Sequence, residues 1–200
     1  KLNLSPFLNR SHLVKSPMVD YADGSHALPA YFEMGGTHGT LVRFGAEGRV
    51  RDTRRIAGPA KMIQPMIVPV DARRAVAFLR DFDRSDRLWL SRTEDGGQSW
   101  SVAEKTEMAN PSAPVAAVGA GDGRILMVAN DVEGAGDLRL LTSEDEGASW
   151  RLVKVLEPED AGARYPMLRR VGEQFLLTYS HDNKRGIRAV AFNAAWVAAQ

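Results

Sequence analysis

The chain has 200 residues, 44% of them apolar, with 26 Lys and Arg against 25 Asp and Glu and a formal net charge of +1. That length can bury one sizeable core, and so even a charge balance offers neither a nucleic-acid surface nor an acidic tail. There is no cysteine, which excludes disulfide frameworks and thiolate metal sites and leaves the compartment open, and no apolar run is long enough to span a membrane.

Glycine and proline punctuate the sequence throughout and no long amphipathic helical pattern lies between them, so an all-β fold is expected. The first unit, 9–57, reads as strands at 13–19, 26–33, 40–44 and 50–56, with turns at Asp23-Gly24 and Glu47-Gly48. The second, 62–107, has strands at 63–70, 75–80, 87–92 and 101–106. In the third, 110–157, they fall at 113–118, 124–130, 138–142 and 151–156. Both of these reverse between their first two strands at a loop carrying an aspartate, Asp71 or Asp122. The fourth, 164–200, supplies 166–171, 174–179 and 187–192, and the segment 193–200 is too short for another strand. Some other segment is expected to close that sheet, because an open edge invites pairing.

One turn is spelled twice, as Thr93-Glu94-Asp95-Gly96-Gly97-Gln98-Ser99-Trp100 and as Ser143-Glu144-Asp145-Glu146-Gly147-Ala148-Ser149-Trp150. An Asp carboxylate accepts hydrogen bonds from backbone NH groups just ahead of it, and Gly adopts the positive φ of a tight reversal. The Trp then closes over the turn from below. Repetition at roughly 40–50 residues is the mark of propeller blades, each a four-stranded sheet. These turns follow third strands. Asp95, Gly97, Trp100, Asp145, Gly147 and Trp150 are therefore expected to be structural, at the end of each sheet opposite the starts of first strands.

The other end collects polar residues: Asn9 to His12 with Glu33, Gln64 with Arg80 and Asp81, Asn110 with Asn130 and Asp131, and Arg164 and Tyr165 with Ser180 to Asp182. Either they line a ligand site or they are simply polar strand ends. Among the histidines, His12 starts a strand, His181 ends one, His26 lies near a distal turn and His38 sits in a Gly-rich loop. They are spread too widely for a metal site. His12 is either an acid/base group, since imidazole titrates near neutrality, or a hydrogen-bonded strand-end side chain. The loop Gly35-Gly36-Thr37-His38-Gly39 lacks the Lys-Ser or Lys-Thr of a phosphate loop, and no cofactor is expected.

The paired Asp turns, together with Asn9-Arg10-Ser11-His12-Leu13-Val14, Leu28-Pro29-Ala30-Tyr31-Phe32-Glu33, Gln64-Pro65, Ala77-Phe78-Leu79-Arg80-Asp81, Asn130-Asp131 and Arg164-Tyr165-Pro166, resemble the bacterial BNR-repeat (Asp-box) proteins of the sialidase, or neuraminidase, superfamily. The resemblance runs over nearly the whole chain. It implies a six-bladed β-propeller when complete, of which this chain covers about four blades of the C-terminal part. The remainder would come from a missing N-terminal portion or be replaced by self-association. It also implies an exo-acting glycoside hydrolase on a terminal acidic sugar, incomplete and inactive as this piece, in a periplasmic or secreted location. In that scheme Tyr165 is the nucleophile, because a neutral phenol tolerates a substrate carboxylate that would repel a carboxylate nucleophile. Glu33 is by position the base that takes its proton. Arg80 and Arg164 hold the substrate carboxylate, for which a guanidinium fork is suited, and Gln64, Asp81, Asn130 and Asp131 line the sugar. Two other readings stay open: a glycosidase or lyase on another acidic glycan handled by His12 and Glu33, and a non-catalytic propeller that binds glycan or protein, since Asp turns also occur in propellers that hydrolyse nothing.

Overall fold

A computed structural model describes residues 12–33, 36–59, 61–83, 85–121, 123–132 and 136–200. Asn9, Arg10, Ser11, Gly35 and Asp122 lie outside the described residues. Contacts divide the chain into two compact units, 1–85 with 89–105, and 86–88 with 106–200.

The first unit opens with β1 (His12–Val14), β2 (Val19–Asp20), β3 (His26–Phe32), β4 (His38–Phe44) and β5 (Val50–Arg55). They form an antiparallel sheet in the order β1-β3-β4-β5, with β2 also pairing β3. A continuous strand from 13 to 19 is expected, but Pro17 has no NH for the ladder and splits it into β1 and β2. His38, expected in a glycine-rich loop, instead begins β4 opposite Phe32. The next sheet runs in the order β6 (Met62–Pro69), β7 (Ala75–Asp81), β8 (Arg87–Thr93), β9 (Glu104–Ala109). Its β6 and β7 are buried over nearly their whole length, which is why they read as apolar runs without alternation. Val19, Tyr21, Leu41, Ile56, Met62, Ile67, Leu79 and Trp89 belong to one core.

In the second unit β10 (Ala116–Gly121), β11 (Arg124–Asn130), β12 (Leu138–Ser143) and β13 (Arg151–Glu157) form another four-stranded meander. Here the first strand begins at Ala116 rather than 113, because the segment before it is held as a turn: Asn110 Oδ1 accepts from Ala113 N at 2.9 Å and Ser112 has φ 51°. The last sheet has three strands, β14 (Arg164–Val171), β15 (Gln174–His181) and β16 (Gly186–Asn193). A short helix not expected from the sequence, α1 (Ala194–Ala198), follows. Asn193 caps it, its Oδ1 accepting from Trp196 N at 2.8 Å, and Val197 is buried with Leu126, Leu138, Leu168, Phe175, Leu177 and Phe192. Each large apolar side chain so buried contributes about 1.5–3 kcal/mol.

The two repeated turns close in the same way. Asp95 Oδ1 accepts from Gln98 N and Ser99 N, both at 2.9 Å, while Oδ2 accepts from Ser99 Oγ at 2.6 Å. Thr93 Oγ1 donates to Asp95 at 2.9 Å and accepts from Gly97 N at 3.0 Å. Asp145 repeats this with Ser149 N at 2.8 Å, Ser149 Oγ at 2.6 Å and Ser143 Oγ at 2.8 Å. Gly97 and Gly147 have φ 76° and 89°. Burial by itself would raise the Asp95 carboxyl, but the bonds from Ser99, Thr93 and Gln98 together bring it down to about 2. The Ser149 hydroxyl and NH, with Ser143, hold Asp145 at about 2 as well.

Candidate functional site

The polar residues at the other strand ends form two groups, one in each unit. In the first unit the group is built on a backbone irregularity. Gln64, just before Pro65, has φ 54°, and the β6–β7 register shifts between Ile63 and Met66. The slip turns Gln64 inward, where it is 6% exposed. Its Nε2 donates to the Tyr31 hydroxyl at 3.3 Å and its Oε1 accepts from Arg80 Nη1 at 3.3 Å. Gln64 thus ties two side chains from different sheets. Asp81 has another role than the ligand contact expected of it. It is 1% exposed and accepts from Asp83 N at 2.7 Å, Ser85 N at 3.1 Å, Trp89 Nε1 at 3.1 Å and the Ser85 hydroxyl. Burial would raise this carboxyl, yet those donors hold it below the usual carboxylate range.

At the end of the first sheet, cross-strand pairing stacks three rings. His12 pairs with Phe32, and Phe32 with His38; ring centroids are 5.2 Å apart in the first pair and 5.4 Å in the second. Burial, then the neighbouring His38, pushes the His12 imidazole below its usual value. His38 is lowered chiefly by burial, with Arg55 adding to it and a bond to the Gly36 carbonyl opposing it. His12 Nδ1 is enclosed with no hydrogen-bond partner among the described residues. Glu33 follows Phe32 and is exposed.

The second group repeats the irregularity at Tyr165. This residue, just before Pro166, also has φ 54°, and the β14–β15 register shifts between Arg164 and Met167. Here the slip leaves the ring 42% exposed, with Lys184 Nζ 5.0 Å from its centroid. The lysine is carried by a turn in which Asp182, Asn183 and Lys184 all have positive φ, 49°, 50° and 72°. Arg164 Nη1 donates to the carbonyls of Ala163 and Gly136 at 2.8 and 3.1 Å. Asn130 Nδ2 donates to the same two carbonyls, at 3.0 and 2.8 Å. Asp131 pairs with Arg139, and Ser180 Oγ donates to Arg164 O at 2.9 Å. Asn110 is fully buried in its own turn.

Tyr31, Arg139 and Lys184 were not among the residues expected at the site. Of these, Lys184 had a signal: Asp-Asn before it favours the left-handed turn that delivers it. Among the described residues no group of three or more His, Cys, Asp or Glu is placed to hold a metal ion, and no helix is long and apolar enough to cross a membrane.

The model of the BNR repeat-like domain family matches residues 1–177. No curated protein matches the sequence. Among solved structures, the NanB sialidase from Streptococcus pneumoniae is similar with a TM-score of 0.68 at 12% identity, over 90% of this chain and 30% of that one. For the Hadza microbial sialidase Hz136 the TM-score is 0.71 at 12% identity, over 92% and 45%. The Trypanosoma rangeli sialidase, in complex with 2,3-difluorosialic acid as a covalent intermediate, gives 0.66 at 13% identity, over 93% and 36%. The chain therefore spans less than half the length of these three. Likeness at such identity identifies the fold, a β-propeller of the sialidase type.

Proposed function

Since the chain belongs to the BNR repeat-like domain family, we propose that the protein it is part of is a sialidase-like glycoside hydrolase acting on a terminal acidic sugar, with Tyr165 as its nucleophile. The observation that carries this reading is the setting of Tyr165. It is an exposed phenol on a residue of left-handed φ just before Pro166, with a lysine ammonium over its ring. A neutral nucleophile accepts an anionic substrate without repulsion. Among the described residues Arg164 uses Nη1 for backbone carbonyls, and its Nε and Nη2 edge is the fork proposed for the substrate carboxylate. Arg80, steadied by Gln64, is the second cation proposed for that carboxylate. Glu33 is the base proposed for the phenol, and Asn130 and Asp131 are proposed to border the sugar.

The test is turnover of a fluorogenic sialoside by the intact gene product. Tyr165→Phe is expected to lower kcat by about 1000-fold or more while the melting temperature stays within a degree or so. Undiminished turnover in that variant would overturn the assignment. A second reading rests on the His12, Phe32, His38 row, with His12 and Glu33 proposed for acid/base work on another acidic glycan. It expects loss of activity in His12→Ala with Tyr165→Phe still active. Glycan binding without turnover in the unmodified protein would instead make this a binding propeller.

A further inference from the structure

The tyrosine of the second group has a neighbour whose placement goes against local backbone preference. Asp182, Asn183 and Lys184 turn the chain between β15 and β16, and all three have positive φ, 49°, 50° and 72°. Asp and Asn tolerate the left-handed region because their short side chains bond locally; a lysine gains nothing of that kind, and a glycine would sit there without strain. The turn is held in this shape from outside. Asp182 N donates to Ala161 O at 2.8 Å and Arg185 N to Asp182 O at 3.1 Å. Its backbone lies against Gly162, where an added Cβ would stand 2.8 Å from Asn183 N. Strained non-glycine residues persist where the surroundings fix them, and they cluster at ligand sites.

That strain delivers one side chain to one place. Lys184 Nζ lies 5.0 Å from the centroid of the Tyr165 ring, and both residues are exposed. Acids stand close by in the fold, Asp182 on the turn itself and Glu159 and Asp160 on the short 3-10 helix Glu159–Ala161 that the turn is bonded to. Even so, Lys184 makes no ion pair among the described residues. An exposed cation–π contact is a weak tie, smaller than the strain of a left-handed lysine, so it does not account for the residue by itself. An ammonium offers three donors and accepts nothing. Held unpaired at the rim of an exposed phenol, it is set to receive an anion.

We propose that Lys184 is a substrate-binding residue of the Tyr165 site, its ammonium receiving a carboxylate of the bound glycan, whether that of the terminal sugar or that of an acidic sugar linked to it. This adds a cation from the β15–β16 turn to the guanidinium groups proposed at Arg164 and Arg80. The inference rests on the acidic-sugar reading of that site but does not require turnover.

The experiment is binding of two probes, the methyl glycosides of sialic acid and of a sialic acid dimer, to the intact gene product at low and high salt by ligand-observed NMR. It is run in a Tyr165→Phe background, which keeps the ring under the ammonium and removes the proposed nucleophile. Lys184→Met is expected to weaken at least one probe about 10-fold and to flatten its salt dependence, and Lys184→Arg to restore most of both. Loss on both probes assigns the ammonium to the terminal carboxylate; loss on the dimer alone assigns it to the second. Lys184→Gly, which relieves the turn, is expected to melt no lower than its parent while binding as weakly as Lys184→Met. Unchanged affinity in Lys184→Met for both probes, or a loss that leaves the salt dependence unaltered and that arginine does not restore, overturns the proposal. No binding of either probe overturns it together with the acidic-sugar reading. Lys184-dependent binding without release of sialic acid by the unmodified protein defeats the hydrolase reading alone; turnover lost in Tyr165→Phe with affinity indifferent to Lys184 defeats this inference alone.

Discussion

Asp95 and Asp145 each carry a carboxyl held at about 2 by short bonds to a following serine and a preceding hydroxyl. Because their folded values lie below the ordinary aspartate value, they stabilise the fold fully above about pH 4, and that contribution is lost as the pH falls toward 2. Asp145→Asn is therefore expected to melt below the wild type at pH 7, with the gap closing toward pH 2 in thermal melts across that range; a gap independent of pH would rule the charge out as the cause. His12 and His38 are also lowered, so acidification below about 6.5 must charge rings that the fold keeps neutral. Their NMR titration midpoints are expected below that of a free histidine. The Asp turns were legible in the sequence because every partner lies within a few residues. The contact of Gln64 with Tyr31 was not, since the two stand 33 residues apart and their meeting depends on a register slip that no local pattern announces.

Between elements, two contacts decide how neighbouring sheets are joined. A Cβ at Gly97 would stand 2.4 Å from the Tyr21 hydroxyl, on a residue with φ 76°. Gly97→Ala is expected to cost about 3 kcal/mol, combining overpacking with a left-handed alanine; denaturant unfolding measures it, and Tyr21→Phe in the same chain should recover part of the loss. In the second unit Glu157, at the end of β13, accepts from Tyr179 Oη of β15 at 2.6 Å and from Arg188 of β16. Burial and then this bond push the Tyr179 phenol up to about 12. Tyr179→Phe is expected to lose about 1.5–3 kcal/mol, the worth of a bond to a charged group, and an unchanged unfolding midpoint would deny the tie its weight. Sequence spacing located most strands to within a few residues. It missed the break at Pro17 and the late start of β10, where side-chain bonds and missing donors override apolar content, and it missed α1, whose five residues carry too little pattern.

For the whole molecule, the three-stranded last sheet leaves β16 without an outer neighbour among the described residues, with Ile187 80% and Val190 39% exposed. An unpaired apolar edge is a template for another strand. Ile187→Lys puts a charge on that edge and is expected to lower whatever self-association sedimentation velocity detects in the unmodified chain; equal association in both would assign no contact to this edge. The same meander order has a consequence in time. Every principal strand pairs with its sequence neighbour across a short reversal, apart from the small β2. Loop closure then demands little entropy, so each sheet can nucleate as soon as its own stretch of polypeptide is available. Hydrogen exchange should accordingly reveal opening in sheet-sized blocks, and during synthesis the hairpins nearer the amino end can form while the ribosome is still delivering the rest.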